Sequence, residues 1–288
     1  MCQLQSLETP EAVQALARTS YPLLVIEPGS GNSPAELVKA LRLTPERKPR
    51  VLLAYVSPGE AEKWREYWHK DWRRGSPDFL AARDPDGWSG SYPVAFWKPA
   101  WKKLWLGEDG IIARLARAGF DGVYLDWVEA YQEKHVAKLA KDEHLDPAIE
   151  MIRFIEELRA AGRTVNPGFL AVPQNAPDLI DAAPDRYAAA IDALAVEDTW
   201  FSGKAEAKWD TPGAGDIRTK REGDDGTLAR LRQYRKYQDR GLPVLSLDYC
   251  RSRNNAAVVY REARQAGLIP LVSQVDLSRI TGTPPDLH

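Results

Sequence analysis

Eight short runs rich in apolar and β-branched residues, with helical patterns between them, constrain the fold of this chain more than any other feature. The runs are PLLVIEP (22–28), RVLLAYVSP (50–58), YPVAFW (92–97), FDGVYLDW (120–127), FLAVPQNA (169–176), ALAVEDTW (193–200), LPVLSLDY (242–249) and LIPLVS (268–273). Between them lie PAELVKALRL, IIARLARA, PAIEMIRFIEELRAA, TLARLRQYRKYQDR and NNAAVVYREARQA, each with the apolar spacing of an amphipathic helix. Parallel strands need a long return connection, so this alternation predicts a parallel sheet with crossover helices. The segments RAGFDG, DRGLPV and QAGLIP each end a helix on glycine and enter a strand almost at once. Helix-to-strand turns are therefore short, whereas the strand-to-helix segments near 64–91, 128–146 and 201–225 are long. In a (β/α)8 TIM barrel such loops gather on the C-terminal face, where active sites form. The expectation is one such barrel over residues 1–288, with a doubly wound open sheet as the competing architecture.

Composition removes several function classes. The 288 residues carry a formal net charge of -2, which gives no electrostatic reason to expect nucleic acid as a partner. No run approaches the roughly 20 apolar residues of a membrane helix, so no membrane span is expected. Two distant cysteines, Cys2 and Cys250, make neither a disulfide framework nor a zinc site. The start, MCQLQS, has two readings: an ordinary cytosolic terminus, or a lipoprotein cysteine, Cys2, with its leader replaced by Met1. Ten Trp against six Phe is an unusual balance, and most of these Trp fall in or beside the expected loops. Some belong to the core, and others suit flat platforms for a sugar ring.

Candidate chemistry follows from side-chain alternation along strands. In 120–127, Gly122, Tyr124 and Asp126 point into the barrel, with Asp126 last and therefore at the mouth. In ALAVEDTW, Leu194 and Val196 face out and Glu197 faces in. In VLSLDY, Leu245 and Leu247 are expected outside, Ser246 and Asp248 inside. Glu27 and Glu60 sit at or just after the first two strands. One acid at a strand end is most simply a helix cap or an Arg partner, but five on one face are harder to dismiss. Asp121, at a strand start and pointing outward, keeps the structural reading.

Two chemistries use clustered acids. A metal site would want histidine among its ligands, and His69, His135, His144 and His288 form no ligand-spaced pair, so no metal or other cofactor is expected. Glycoside hydrolysis needs two carboxyl groups alone: one attacks or stabilises the oxocarbenium-like centre, and the other protonates the leaving oxygen. The remaining motifs are poor. PGSGNSP (28–34) lacks the lysine of a phosphate-binding loop, and KHVAKLAKDEH (134–144) is most simply a solvated helix face.

With these residues in view the chain resembles glycoside hydrolase family 114, the endo-α-1,4-polygalactosaminidase-like TIM-barrel proteins. The segments that carry the resemblance are AYVSPGEAEKWREYW (54–68), GFDGVYLDWVEAY (119–131), VPQNAPDL (172–179), AVEDTWF (195–201) and LPVLSLDY (242–249). It implies endo-acting cleavage of α-1,4-linked galactosamine-containing exopolysaccharide, with an Asp at the end of the fourth strand and a Glu at the end of the sixth. These fall on Asp126, as nucleophile of a retaining mechanism, and Glu197, as acid/base. Substrate contacts are expected from Glu27, Tyr55, Glu60, Tyr124, Gln174, Asn175, Asp248 and Tyr249. The sequence departs from the pattern at Trp127, where Asn is expected, and in the loops at 132–146 and 203–226. The implied setting is extracellular or the cell envelope, with a monomer acting on an amino-sugar polysaccharide, although a cytoplasmic location is also open. A non-catalytic glycan-binding barrel that keeps the cleft is the alternative.

Overall fold

The computed structural model describes residues 1–29, 33–83, 85 and 87–281. The centre of PGSGNSP and His288 fall outside the described residues. Eight parallel strands form the frame: β1 (Cys2–Leu4), β2 (Leu23–Ile26), β3 (Val51–Val56), β4 (Gly122–Leu125), β5 (Leu170–Pro173), β6 (Leu194–Glu197), β7 (Val244–Tyr249) and β8 (Ile269–Ser273). The first five make one sheet in chain order, and the last three make a second. A parallel bridge from Gln174 to Ala195 links the two sheets, and Gln5 N donates to Leu277 O at 3.1 Å where the first strand's extension meets the chain beyond the last.

The expected alternation holds, with one exchange of strands. YPVAFW does not enter the frame: Ser91–Pro93 pairs antiparallel with Glu60–Glu62 in a small ribbon above it. The missing frame strand is Cys2–Leu4, paired with Leu24–Ile26. Three residues are too few to show a period, which is why the sequence pattern passes over it. The addition and the loss cancel, so Asp126 still follows the fourth strand and Glu197 still closes the sixth.

Cys2 is therefore 3% exposed and packed in the core. Burial pushes its thiol up to about 11. Among the described residues, no helix is long and apolar enough to cross a membrane.

Two apolar clusters follow from strand alternation. Val25, Leu53, Tyr124, Val172, Ala195, Leu247 and Leu271 fill the interior of the frame. The opposite faces, including Leu24, Leu52, Val123, Ala171, Leu194 and Val244, pack against the helices. Burial of each large apolar side chain contributes on the order of 2 kcal/mol. Helix ends agree with the sequence signals: Ser33 and Glu36 form a reciprocal capping box, and Asp146 caps Pro147–Arg163. Gly119, Gly241 and Gly267 all have left-handed φ, between 73° and 98°, where a side chain would be strained.

At the face opposite the loops, Arg50 is 2% exposed. It donates to the carbonyls of Tyr21 at 3.0 Å, Leu41 at 3.0 Å, Ala17 at 3.1 Å and Thr19. Asp121 takes the structural role expected of it: it accepts from Leu52 N at 2.8 Å and pairs with Arg42 at 2.6 Å.

Candidate active site

The C-terminal ends of the strands open into a cleft of about 1070 Å³. Eight of the ten residues expected at a site line it: Glu27, Tyr55, Glu60, Asp126, Gln174, Asn175, Glu197 and Tyr249. Tyr124 and Asp248 do not. Tyr124 is fully buried in the interior beneath the cleft, paired in register with Tyr55. Asp248 points the other way from the expectation, because β7 presents Leu245, Leu247 and Tyr249 inward. The interior needs apolar volume at those levels, and Leu245 and Leu247 supply it. Asp248, fully buried on the outer face, accepts from Trp200 N at 2.6 Å and Phe201 N at 2.8 Å. It anchors the loop after β6, and burial pushes its carboxyl up to about 7 against those two donors.

The two central carboxylates are held alike. Tyr55, from β3, donates its hydroxyl to Asp126 Oδ2, and Tyr249, from β7, donates to Glu197 Oε1. Each tyrosine stands on a strand beside the acid's own strand, facing the same interior. Asn175 completes the grip on Glu197. Its amide donates to Oε2 at 3.0 Å while its side-chain oxygen accepts from Glu197 N at 3.0 Å. Asn175 does this from a left-handed backbone, φ 61°, a conformation that Asn tolerates better than most residues. Burial pushes the Glu197 carboxyl up, and the charge of Asp126 adds to it, whereas the donors Tyr249, Asn175 and Gln174 act downward. A buried acid with a raised pKa beside a second carboxylate is the arrangement that general acid catalysis requires.

Beside Asp126 lies a cluster not anticipated from the sequence. Arg65 pairs with Glu27 and with Glu62, both at 2.5 Å. One guanidinium serves two carboxylates, with Asp126 nearby as a third acid. Burial alone would weaken the Arg65 charge, but Glu62 and Glu27 hold its pKa above the ordinary value. Burial outweighs the ion pair for Glu62 and pushes its carboxyl up to about 7. The signal available in EAEKWREYW was Arg three residues after Glu, a pairing that reads equally well as a surface helix turn.

Two of the tryptophans from which sugar platforms were expected reach the cleft: Trp64, 55% exposed, and Trp88, 38% exposed, stand on its wall. Trp101, Trp105, Trp97, Trp127 and Trp200 are core. The loop tip at Ser89 reaches Glu206 of the loop after β6, with Ser89 N donating at 3.0 Å. Asp198, next to Glu197, lines the cleft with φ 59°. Burial pushes it up to about 8, helped by Glu197 and Asp248. Trp127 also takes a left-handed φ of 55°, and its carbonyl leaves no room for a Cβ at Gly59.

The chain resembles known proteins in sequence and in fold. The sequence pattern of glycoside-hydrolase family GH114 covers residues 23–285. An uncharacterized protein of Deinococcus radiodurans is 34% identical over 272 residues, covering 93% of this chain and 78% of that protein. The glycoside hydrolase domain of PelA from Pseudomonas aeruginosa superposes with a TM-score of 0.67 at 18% identity, covering 97% of this chain and 96% of that one. Aspergillus fumigatus Ega3, solved in complex with galactosamine, gives a TM-score of 0.64 at 16% identity, covering 96% of this chain and 90% of that one.

Proposed function

Because the chain belongs to glycoside-hydrolase family GH114 and is a glycoside hydrolase, we propose that it cleaves an α-1,4-linked, galactosamine-containing exopolysaccharide within the chain, using Asp126 and Glu197. One observation carries the residue assignment. Two carboxylates at the ends of β4 and β6 share one cleft, each gripped by a tyrosine hydroxyl, and Glu197 is the one whose proton is held more tightly than usual.

In this reading Glu197 donates its proton to the leaving oxygen. Asp126, oriented by the Tyr55 hydroxyl, attacks the anomeric carbon as a carboxylate to form a glycosyl ester, and Glu197 then takes a proton from the water that hydrolyses it. Tyr55 gives a hydrogen bond to the carboxylate and weakens as a donor partner once the ester forms, so it selects the orientation of attack rather than the charge. A retaining course calls for carboxyl groups roughly 5–5.5 Å apart, and an inverting one for about 6.5–9.5 Å.

The substrate class is supported by the cleft itself. Among the described residues ten acidic and four basic side chains line it, which favours a cationic sugar over an anionic one. Trp64 and Trp88 offer apolar faces to pyranose rings. The solved complex of Ega3 with galactosamine is consistent with this choice. A polymer substrate of this kind places the enzyme outside the cell or at its envelope, and one cleft in one chain suits a monomer.

The test is incubation of the purified protein with partly deacetylated galactosamine polymer, following new reducing ends beside a binding assay. Reducing ends are expected from the wild type and not from Asp126→Asn or Glu197→Gln. Binding without new ends, on several amino-sugar polymers, would replace hydrolysis with the lectin-like alternative.

A further inference from the structure

We propose that Asp198, with the side-chain oxygen of Gln174 as a second acceptor, reads the amine of the sugar unit held beside Glu197. The inference rests on the reading of the cleft as an amino-sugar site and assigns the specificity to particular atoms.

The argument begins with donors and acceptors. Most acids around the catalytic pair already have their donors: Arg65 serves Glu27 and Glu62, Tyr249 and Asn175 serve Glu197, and two backbone N–H groups serve Asp248. Asp198 differs. Its Oδ1 is buried and receives no hydrogen bond from the protein. Its backbone is fixed, since its N–H donates to Leu247 O at 3.1 Å and its φ of 59° commits it to the left-handed region. Gln174, on the neighbouring strand end, is 3% exposed and lies near enough to Glu197 to act on its carboxyl, lowering it. Its Oε1 is buried without a donor. Both residues line the cleft, Gln174 near Glu197 and Asp198 next to it in the chain.

A buried acceptor without a donor costs on the order of 1–3 kcal/mol, so these two oxygens favour a ligand that brings donors. An ammonium brings three N–H groups and no lone pair. An N-acetyl group brings one N–H and a carbonyl oxygen, which would face other acceptors. A hydroxyl brings one donor and no charge. The groups facing Asp198 are Glu197, Asp248 and Tyr249, with Arg230 as the opposing cation. Burial, with Glu197 and Asp248 adding to it, pushes the Asp198 carboxyl up to about 8, so it holds a proton near neutral pH. Arrival of the ammonium displaces that proton to solvent, leaving carboxylate against ammonium with no other change in charge.

The experiment uses galactosamine and galactose, monosaccharides with no bond to cleave, titrated calorimetrically into the wild type at pH 7 in two buffers of different ionisation enthalpy. Galactosamine is expected to bind about tenfold or more tightly than galactose, as one charge-assisted hydrogen bond allows, and to release up to about one proton. In Asp198→Asn, which keeps the left-handed turn because Asn tolerates it, the preference and the proton release should both vanish while galactose still binds. A variant that keeps the preference, a wild type that does not discriminate, or a wild type that binds neither sugar would each overturn the assignment. The reducing-end assay separates this from the proposed function. Preference without turnover sustains the inference and removes the hydrolytic reading, and turnover with an unchanged preference in the variant does the reverse.

Discussion

Replacing Glu62 by Gln should make the protein's stability less dependent on pH, and the size of the change can be worked out from the cleft. Glu62 is buried on the wall beside Arg65 and Asp126, and its carboxyl is pushed from 4.5 to about 7, burial being the larger cause. A folded-state pKa above the unfolded one means that the folded protein holds the proton more tightly. The stabilisation is thus fully present below about pH 4.5 and is lost as pH rises through 7. Across that window the loss is about 1.4 kcal/mol per pH unit, on the order of 3 kcal/mol altogether. Gln has the same shape and does not titrate, so the variant keeps what the wild type loses. Whatever the Gln amide does to packing, the stability difference between variant and wild type should shift in favour of the variant by about 3 kcal/mol between pH 4.5 and 8. For a chain of this size that corresponds to roughly 6–12 °C in Tm. Urea unfolding of both proteins at half-unit pH intervals measures it. Parallel curves, or a gap that moves toward the wild type as pH rises, would mean that Arg65 outweighs burial and that the reasoning is wrong.

The remaining predictions concern the cleft and one tight packing contact. Tyr249→Phe removes a donor that favours ionised Glu197, so the alkaline limb of the kcat/KM profile should move up by about one pH unit; a limb that stays put would detach Glu197 from the acid role. Trp64→Ala and Trp88→Ala should each lower kcat/KM on polymer by roughly 3–10-fold, in line with one aromatic stacking contact, and leave Tm within a degree or two. Gly122→Ala brings a Cβ within 2.4 Å of Leu170 O in the neighbouring strand, and thermal unfolding should report a loss of about 2–3 kcal/mol or no soluble protein. Nothing in the loops would compensate for that clash.

The legible parts of the chain were those that rest on a period. GVYLDW alternates strictly, and the inward positions of Tyr124 and Asp126 follow from it. VLSLDY also alternates, but both of its registers are self-consistent: one buries leucines inside and an acid outside, the other the reverse. Deciding between them requires the surroundings, since the interior takes Leu245 and Leu247 while the backbone N–H groups of Trp200 and Phe201 meet Asp248 outside. The short β1 carried too few residues for a pattern, and YPVAFW carried a strand's composition into a ribbon. Asn175 and Tyr249 were found by position at strand ends. Glu62 and Arg65 were not, because a local pair three residues apart does not reveal that Glu27 joins it in the cleft. Asp198 looked like a mere neighbour of Glu197 until its unusual backbone and its unmet oxygen were visible.

Arg50 gathers four backbone carbonyls at the face farthest from the loops, while the strand that begins beside it ends near Tyr55 and Asp126. The two ends of β3 therefore answer to different selective demands. Changes around Arg50 alter how long the molecule survives, and changes around Tyr55 alter what it does while it survives. A lineage can lengthen, recharge or replace the loops that shape the cleft, and drift toward other polymers, with the frame held from beneath. Laboratory evolution of this chain could exploit the same division by hardening the underside first and randomising the cleft afterwards.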